Sequence, residues 1–152
     1  MKENLHELNV HNFLPHRPPM LMVDELLTLT RDTVSSSFKV NKDCPFVDAS
    51  GNLSESGLIE NNAQTCSSIV GQKFFAEDDL EGTSAKVLGF ISVIKKAKIY
   101  AVPKISDTII TKASLLSRLN TGKFIMCTMQ TSTFNNEELI VDCTMNLIIQ
   151  EV

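Results

Sequence analysis

Tryptophan is absent from these 152 residues, tyrosine occurs once, and aromatic residues make up 6 %. Proteins that stack unpaired bases need exposed aromatic platforms, so the composition argues against that kind of nucleic-acid binder. Positive charge is short as well: 14 Lys and Arg stand against 18 Asp and Glu, for a net charge of −4. A surface that binds a polyanion by releasing counterions needs a cationic excess that this chain does not have. No apolar run approaches the ~20 residues that cross a bilayer. Met1 to Val10 alternates charge with isolated apolar residues and does not read as a signal peptide. A cytoplasmic chain without a membrane span is the expectation. Cys44, Cys66, Cys127 and Cys143 form no C-x-x-C pair and no tight cluster with histidine. They read as reduced, small apolar residues, and neither a disulfide framework nor a metal site is expected.

Hydrophobic residues make up 43 % and charged residues 21 %, the balance of a folded chain. The length suits one domain over 1–152, burying about two thirds of its unfolded surface. No repeat or low-complexity tract breaks it. Met1 to Val10 is read as a short helix, followed by a proline-stiffened loop from Phe13 to Pro19. Met20 to Leu29 and Thr33 to Val40 read as strands, the second with Val34, Ser36, Phe38 and Val40 on one face. Asn41 to Leu53 is loop. The clearest helix follows, with Ser54 or Ser56 as cap and Glu55 in the first turn. Leu58, Ile59, Ala63, Cys66, Ile69, Val70 and Phe74 recur at helical spacing, and dense small residues predict that other chain lies close around it. An acidic surface loop is expected over Ala76 to Ser84. Four strands complete the chain, over Val87–Tyr100, Thr108–Leu119, Phe124–Phe134 and Glu138–Gln150. One helix and one antiparallel sheet give an α+β fold in which the sheet curls around the helix. An exposed sheet edge would be removed by pairing two subunits, so a dimer is expected.

Four groups carry candidate chemistry. The first is the loop Leu14-Pro-His16-Arg17 leading to Asp24. His16 either fixes that loop or titrates at a pocket mouth. Asp24 is expected to partner Arg17 or a backbone group, and His6 and His11 to lie at the surface. The second is Phe46-Val-Asp48-Ala-Ser-Gly51, where aspartate commonly forms turns. The third is Gly57-Leu-Ile-Glu60-Asn-Asn-Ala-Gln64. A carboxyl at Glu60 among small apolar residues would be desolvated and usable as a proton donor; the alternative is an early-turn glutamate stabilised by the helix dipole. Gln64, one turn on, is placed to bond Glu60. Gly57 offers either a backbone N–H for a ligand oxygen or room for close packing. The fourth is Pro103 to Ile109. Lys95, Lys96, Lys98 and Lys104 form a basic concentration that either takes a phosphate or protects an edge strand.

Taken in this order, the groups resemble the hot-dog family of 3-hydroxyacyl-[acyl-carrier-protein] dehydratases. Leu14-Pro-His16-Arg17-x-Pro-Met-Leu-x-Val-Asp24 is similar to the stretch that opens that family's first strand. Gly57-Leu-Ile-Glu60-x-x-Ala63-Gln64 is similar to its central-helix motif. The Gly-His-Phe-Pro stretch that holds the family's catalytic histidine has no counterpart here. In its place Phe-x-Asp-x-x-Gly, Phe46 to Gly51, resembles the divergent dehydratase-like branch of aryl-polyene and related lipid pathways.

The resemblance implies a hot-dog fold, a dimer, and loss of water from a 3-hydroxyacyl thioester of fatty-acid or polyketide-type synthesis. It implies no metal or redox cofactor. Glu60 would be the acid, the Gly57 N–H the oxyanion donor, and His16 the candidate base, set against Glu60 of a neighbouring subunit. Gly57, Gln64, Phe46, Asp48, Gly89 and Phe90 are the expected substrate contacts. The expected partners are an acyl-carrier-protein or coenzyme A thioester and a second hot-dog subunit, identical or related. Two rival readings remain open: an acyl thioesterase, and a catalytically silent subunit of a heterodimeric dehydratase.

Overall fold

The computed structural model describes residues 8–72 and 87–151. Six strands form one antiparallel sheet: β1 Glu25–Leu29, β2 Thr33–Lys39, β3 Val87–Ile99, β4 Thr108–Asn120, β5 Ile125–Asn135 and β6 Glu138–Glu151. Their spatial order is β1-β2-β4-β5-β6-β3. One helix, α1 Glu55–Gly71, lies between β2 and β3 in sequence and packs on the concave side, touching β2 to β6. Among the described residues the sheet curls around one α-helix, the architecture that the resemblance implies.

Helix α1 forms where the sequence supplies both a cap and an apolar surround. Ser54 is in extended backbone and its hydroxyl accepts the Gly57 N–H, with Glu55 in the first turn. Twelve of its seventeen residues are buried, which accounts for its small side chains. The helix ends at Gly71, where a Cβ would collide with the carbonyl oxygen of Phe13. Phe74 and the Ala76–Ser84 loop lie outside the described residues, as do His6 and most of the helix expected over Met1–Val10. Within the described residues a 3-10 turn occupies Val10–Asn12.

The strand expected over Met20–Leu29 begins only at Glu25. A strand continues where its backbone groups find another strand, whereas the N–H and carbonyl of Met22 both bond to side chains of α1. Asp24 settles on a backbone group: its Oδ2 accepts the Lys39 N–H at 2.7 Å. Strand β2 alternates as its sequence predicts, with Val34, Ser36 and Phe38 inward. Strands β5 and β6 likewise turn Cys127, Met129, Cys143, Met145 and Leu147 into the core. All four cysteines are free and buried. Burial pushes the Cys66, Cys127 and Cys143 thiols up.

A polar row interrupts this core. Ser36, Thr111, Thr131 and Thr133 line the concave face beneath Asn61, Asn62 and Thr65, and all seven are buried. They satisfy one another: Ser36 with Thr65 at 2.7 Å, Asn62 Nδ2 to Thr133 at 2.9 Å, and Thr131 to Asn62. Among the described residues β3 pairs only with β6, so its far edge is unpaired.

The Gly71–Phe13 approach gives the first prediction. Gly71→Ala forces backbone apart in a packed region, at a cost of about 2 kcal/mol. Thermal unfolding followed by circular dichroism should show a midpoint roughly 6 °C below the parent.

Candidate active site

The loop after Phe13 is braced from within. Arg17 Nη1 donates to the carbonyls of Leu14 at 2.9 Å and His16 at 2.8 Å. The Pro18–Pro19 peptide bond is cis. The Arg17 carbonyl accepts the N–H groups of Met20 and Leu21. This compact turn delivers the His16 side chain to the first turns of α1. There His16 Nε2 stands 3.8 Å from Glu60 Oε1, with 30 % of the histidine side chain and 27 % of the glutamate side chain exposed. The two meet within one chain, whereas the sequence reading set His16 against Glu60 of a neighbouring subunit. The short loop between Leu14 and Met22 folds directly back onto α1, so the pairing needs no second copy.

Gln64 fixes the carboxylate from the other side. Its Nε2 donates to Glu60 Oε1 at 2.8 Å and to the Met20 carbonyl at 2.9 Å, and its Oε1 accepts the Met22 N–H at 2.7 Å. With 1 % of its surface exposed, Gln64 spends its amide inside the chain rather than on a ligand. Burial holds the His16 imidazole below the usual histidine range. The Glu60 carboxylate partly offsets this, and the Arg17 guanidinium adds to it. A neutral imidazole with a free ring nitrogen is a proton acceptor near pH 7.

An open cavity of about 680 Å³ lies beside Glu60, lined by Phe46, Glu55, Ser56, Ile59, Ile91 and Ile94 together with Ala97 and Ile99. Of the expected contacts, Phe46 is in this lining. Gly57 is buried next to it, and a Cβ there would strike Phe46 and Leu53. Its N–H is already taken by the Ser54 hydroxyl at 3.2 Å, so close packing explains this glycine better than an oxyanion role. The amides of Glu55 and Ser56 precede the first intrahelical bond and have no acceptor in the helix. Asp48 builds a turn, its Oδ1 accepting from Ser50 and Asn52, and is not in the cavity wall. Gly89 pairs with Ile149 beyond the cavity, and Phe90 pairs with Ile148 on the outward face of the sheet.

The lining from β3 was not legible at period 2. Register shifts follow Ile91 and Ile94, so Ile91, Ile94 and Ala97 share the concave face at steps of three. Lys96 and Lys98 pair with Thr144 and Asp142 on the opposite face, and Lys96 Nζ bonds Asp142 at 3.0 Å. They therefore point away from the cavity. Among the described residues no group of three or more His, Cys, Asp or Glu is arranged to hold a metal ion. No helix there is long and apolar enough to cross a membrane.

The pH dependence of stability follows from the His16 shift. The unfolded chain takes up a proton near the ordinary histidine value of about 6.5, whereas the folded chain resists. Folded-state stability should fall as pH drops through that value toward the lower folded one. Urea midpoints for the parent and His16→Gln at pH 7.5 and 5.5 should show the parent losing more stability on acidification. Equal losses would contradict the assignment.

No curated protein matches the sequence. Among solved structures, the dehydratase heterocomplex ApeI:P from Xenorhabdus doucetiae aligns with a TM-score of 0.74 at 18 % identity, covering 94 % of this chain and 90 % of that one. A hypothetical thioesterase with coenzyme A from Streptococcus pneumoniae aligns with a TM-score of 0.62 at 15 % identity, over 84 % and 85 % of the two chains. An HP0420 homologue from Helicobacter felis aligns with a TM-score of 0.64 at 12 % identity, over 98 % and 92 %. At these identities the likeness is one of fold, and the fold is the hot-dog. The family model described as ApeP dehydratase matches residues 8–148, nearly the whole described structure, and the chain belongs to this ApeP-like family.

Proposed function

We propose that this chain removes water from a 3-hydroxyacyl thioester, with His16 and Glu60 as the reacting pair. The observation that carries the reading is their approach to 3.8 Å within one chain, with Glu60 in the wall of an open cavity. Dehydration needs one proton taken from Cα and one given to the departing hydroxyl. His16 takes the first on Nε2 and Glu60 gives the second. The pair then holds an imidazolium and a carboxylate, and one proton passing between them restores the start. Desolvation of His16 favours the neutral imidazole from which the cycle begins. The unshared amides of Glu55 and Ser56 are the donors left for the thioester oxygen.

The carrier is acyl-carrier-protein or coenzyme A, and the reaction belongs to cytoplasmic fatty-acid or polyketide-type lipid synthesis. The unpaired edge of β3 supports assembly with a second hot-dog subunit, identical or related. That strand also lines the cavity, so such a subunit would close it. The heterocomplex named for the Xenorhabdus relative favours a related partner.

A second reading rests on the Gln64–Glu60 bond: a carboxylate so fixed can also activate water for thioester hydrolysis. The product separates the two. Incubation with a 3-hydroxyacyl thioester should yield an enoyl thioester, seen by mass spectrometry, whereas free acid and thiol would favour the thioesterase. His16→Ala and Glu60→Gln should each lower dehydration by about 10²–10⁴-fold. If both variants keep full activity, the pair is not the site. If the chain is inert alone and turnover appears only with a related subunit whose own histidine is required, it is the silent partner.

A further inference from the structure

Asn61 follows Glu60 on α1 and has no exposed surface. An amide in the core is costly unless every polar atom is bonded, and here the bonds run in a defined direction. Asn61 Nδ2 donates to the Met22 carbonyl at 2.8 Å. Its Oδ1 accepts the Thr111 hydroxyl at 2.8 Å, and that hydroxyl lies 2.9 Å from Thr133 on β5. The N–H of the same residue, Met22, ends on Gln64. Residues 61 and 64 are neighbours on one helix face. Between them they grip both backbone groups of the residue where the His16 loop meets the sheet. Gln64 then carries the hold on to Glu60.

We propose that Asn61 is a positioning residue, one that seats the His16 loop on α1 by holding the Met22 carbonyl and is itself anchored to the sheet through Thr111. The role rests on the reading of His16 and Glu60 as the reacting pair. Asn61 is outside the cavity wall and its side chain hydrogen-bonds to neither of them. Replacing it by an apolar residue leaves the Met22 carbonyl buried without a donor. The loop must then lift or admit water, and the His16 ring loses its fixed place. Adjacent Asn62 is the matched comparison. It is equally buried and bonds Leu58, Thr133 and Thr131, reaching Asn61 Oδ1 only at 3.5 Å, with no bond to the loop.

The test is an NMR titration of the imidazole groups in the full chain. There are three histidines, and the His16 signal is the one lost in His16→Asn. Burial is the largest influence holding His16 down, with Glu60 and Arg17 the charged groups facing it. In Asn61→Ala the midpoint should therefore rise toward the ordinary value, by about half a pH unit. Asn62→Ala should lower the thermal midpoint and leave the His16 titration where it is. Thr111→Val removes only the anchoring hydroxyl; it should shift His16 in the same direction by less, and it serves if Asn61→Ala does not fold. Equal His16 shifts in the Asn61 and Asn62 variants, or an unshifted His16 in a folded Asn61→Ala or Thr111→Val, would overturn the proposal. With a 3-hydroxyacyl thioester, Asn61→Ala should lose at least tenfold in kcat with KM nearly unchanged. A parent chain without turnover would overturn the proposed function, while the titration still decides the positioning role.

Discussion

The facing of His16 and Glu60 is referred to the backbone of Met22. That residue is fully buried, and its N–H and carbonyl end on two side chains of one helix. A sheet strand would have satisfied those groups at no cost to the helix. The chain instead places amides there, each of which must be completely bonded to be tolerated in a core. The return is geometric: loop, helix and sheet are tied through one peptide segment, and the carboxylate of Glu60 and the ring of His16 inherit their separation from it. Buried polar contacts of this kind add little net stability, yet they select one packing among many of similar energy.

The fold was legible because its cues are local. The Ser54 cap, the small-residue helix and the alternation in β2, β5 and β6 each follow from a short window of sequence. The Leu-Pro-His loop and the Glu-x-x-Ala-Gln helix, Glu60 to Gln64, likewise marked the two segments that meet. What the sequence did not reveal depends on pairs distant along the chain. The start of β1 is set by side chains about forty residues away. The engagement of the Gly57 N–H by Ser54, and the crowding that demands a glycine, emerge only once Phe46 and Leu53 have folded over it.

Strand β3 shows the same lesson on the sheet. Read at period 2, Val93 and Ile94 sort onto the wrong faces, because two register shifts lie within one strand. A bulge changes which side chains look inward without altering composition, so no propensity scale marks it. The consequence reached the site directly: Ile94 turned in beside Ile91, and Val93 turned out.

The cavity wall has one further chemical property. Its ionisable side chains are Glu55 and Glu60, while Lys96 and Lys98 of β3 sit across the sheet. Like charges repel more strongly where water is partly displaced. The cleft thus carries two acidic side chains and, among the described residues, no basic one in its wall.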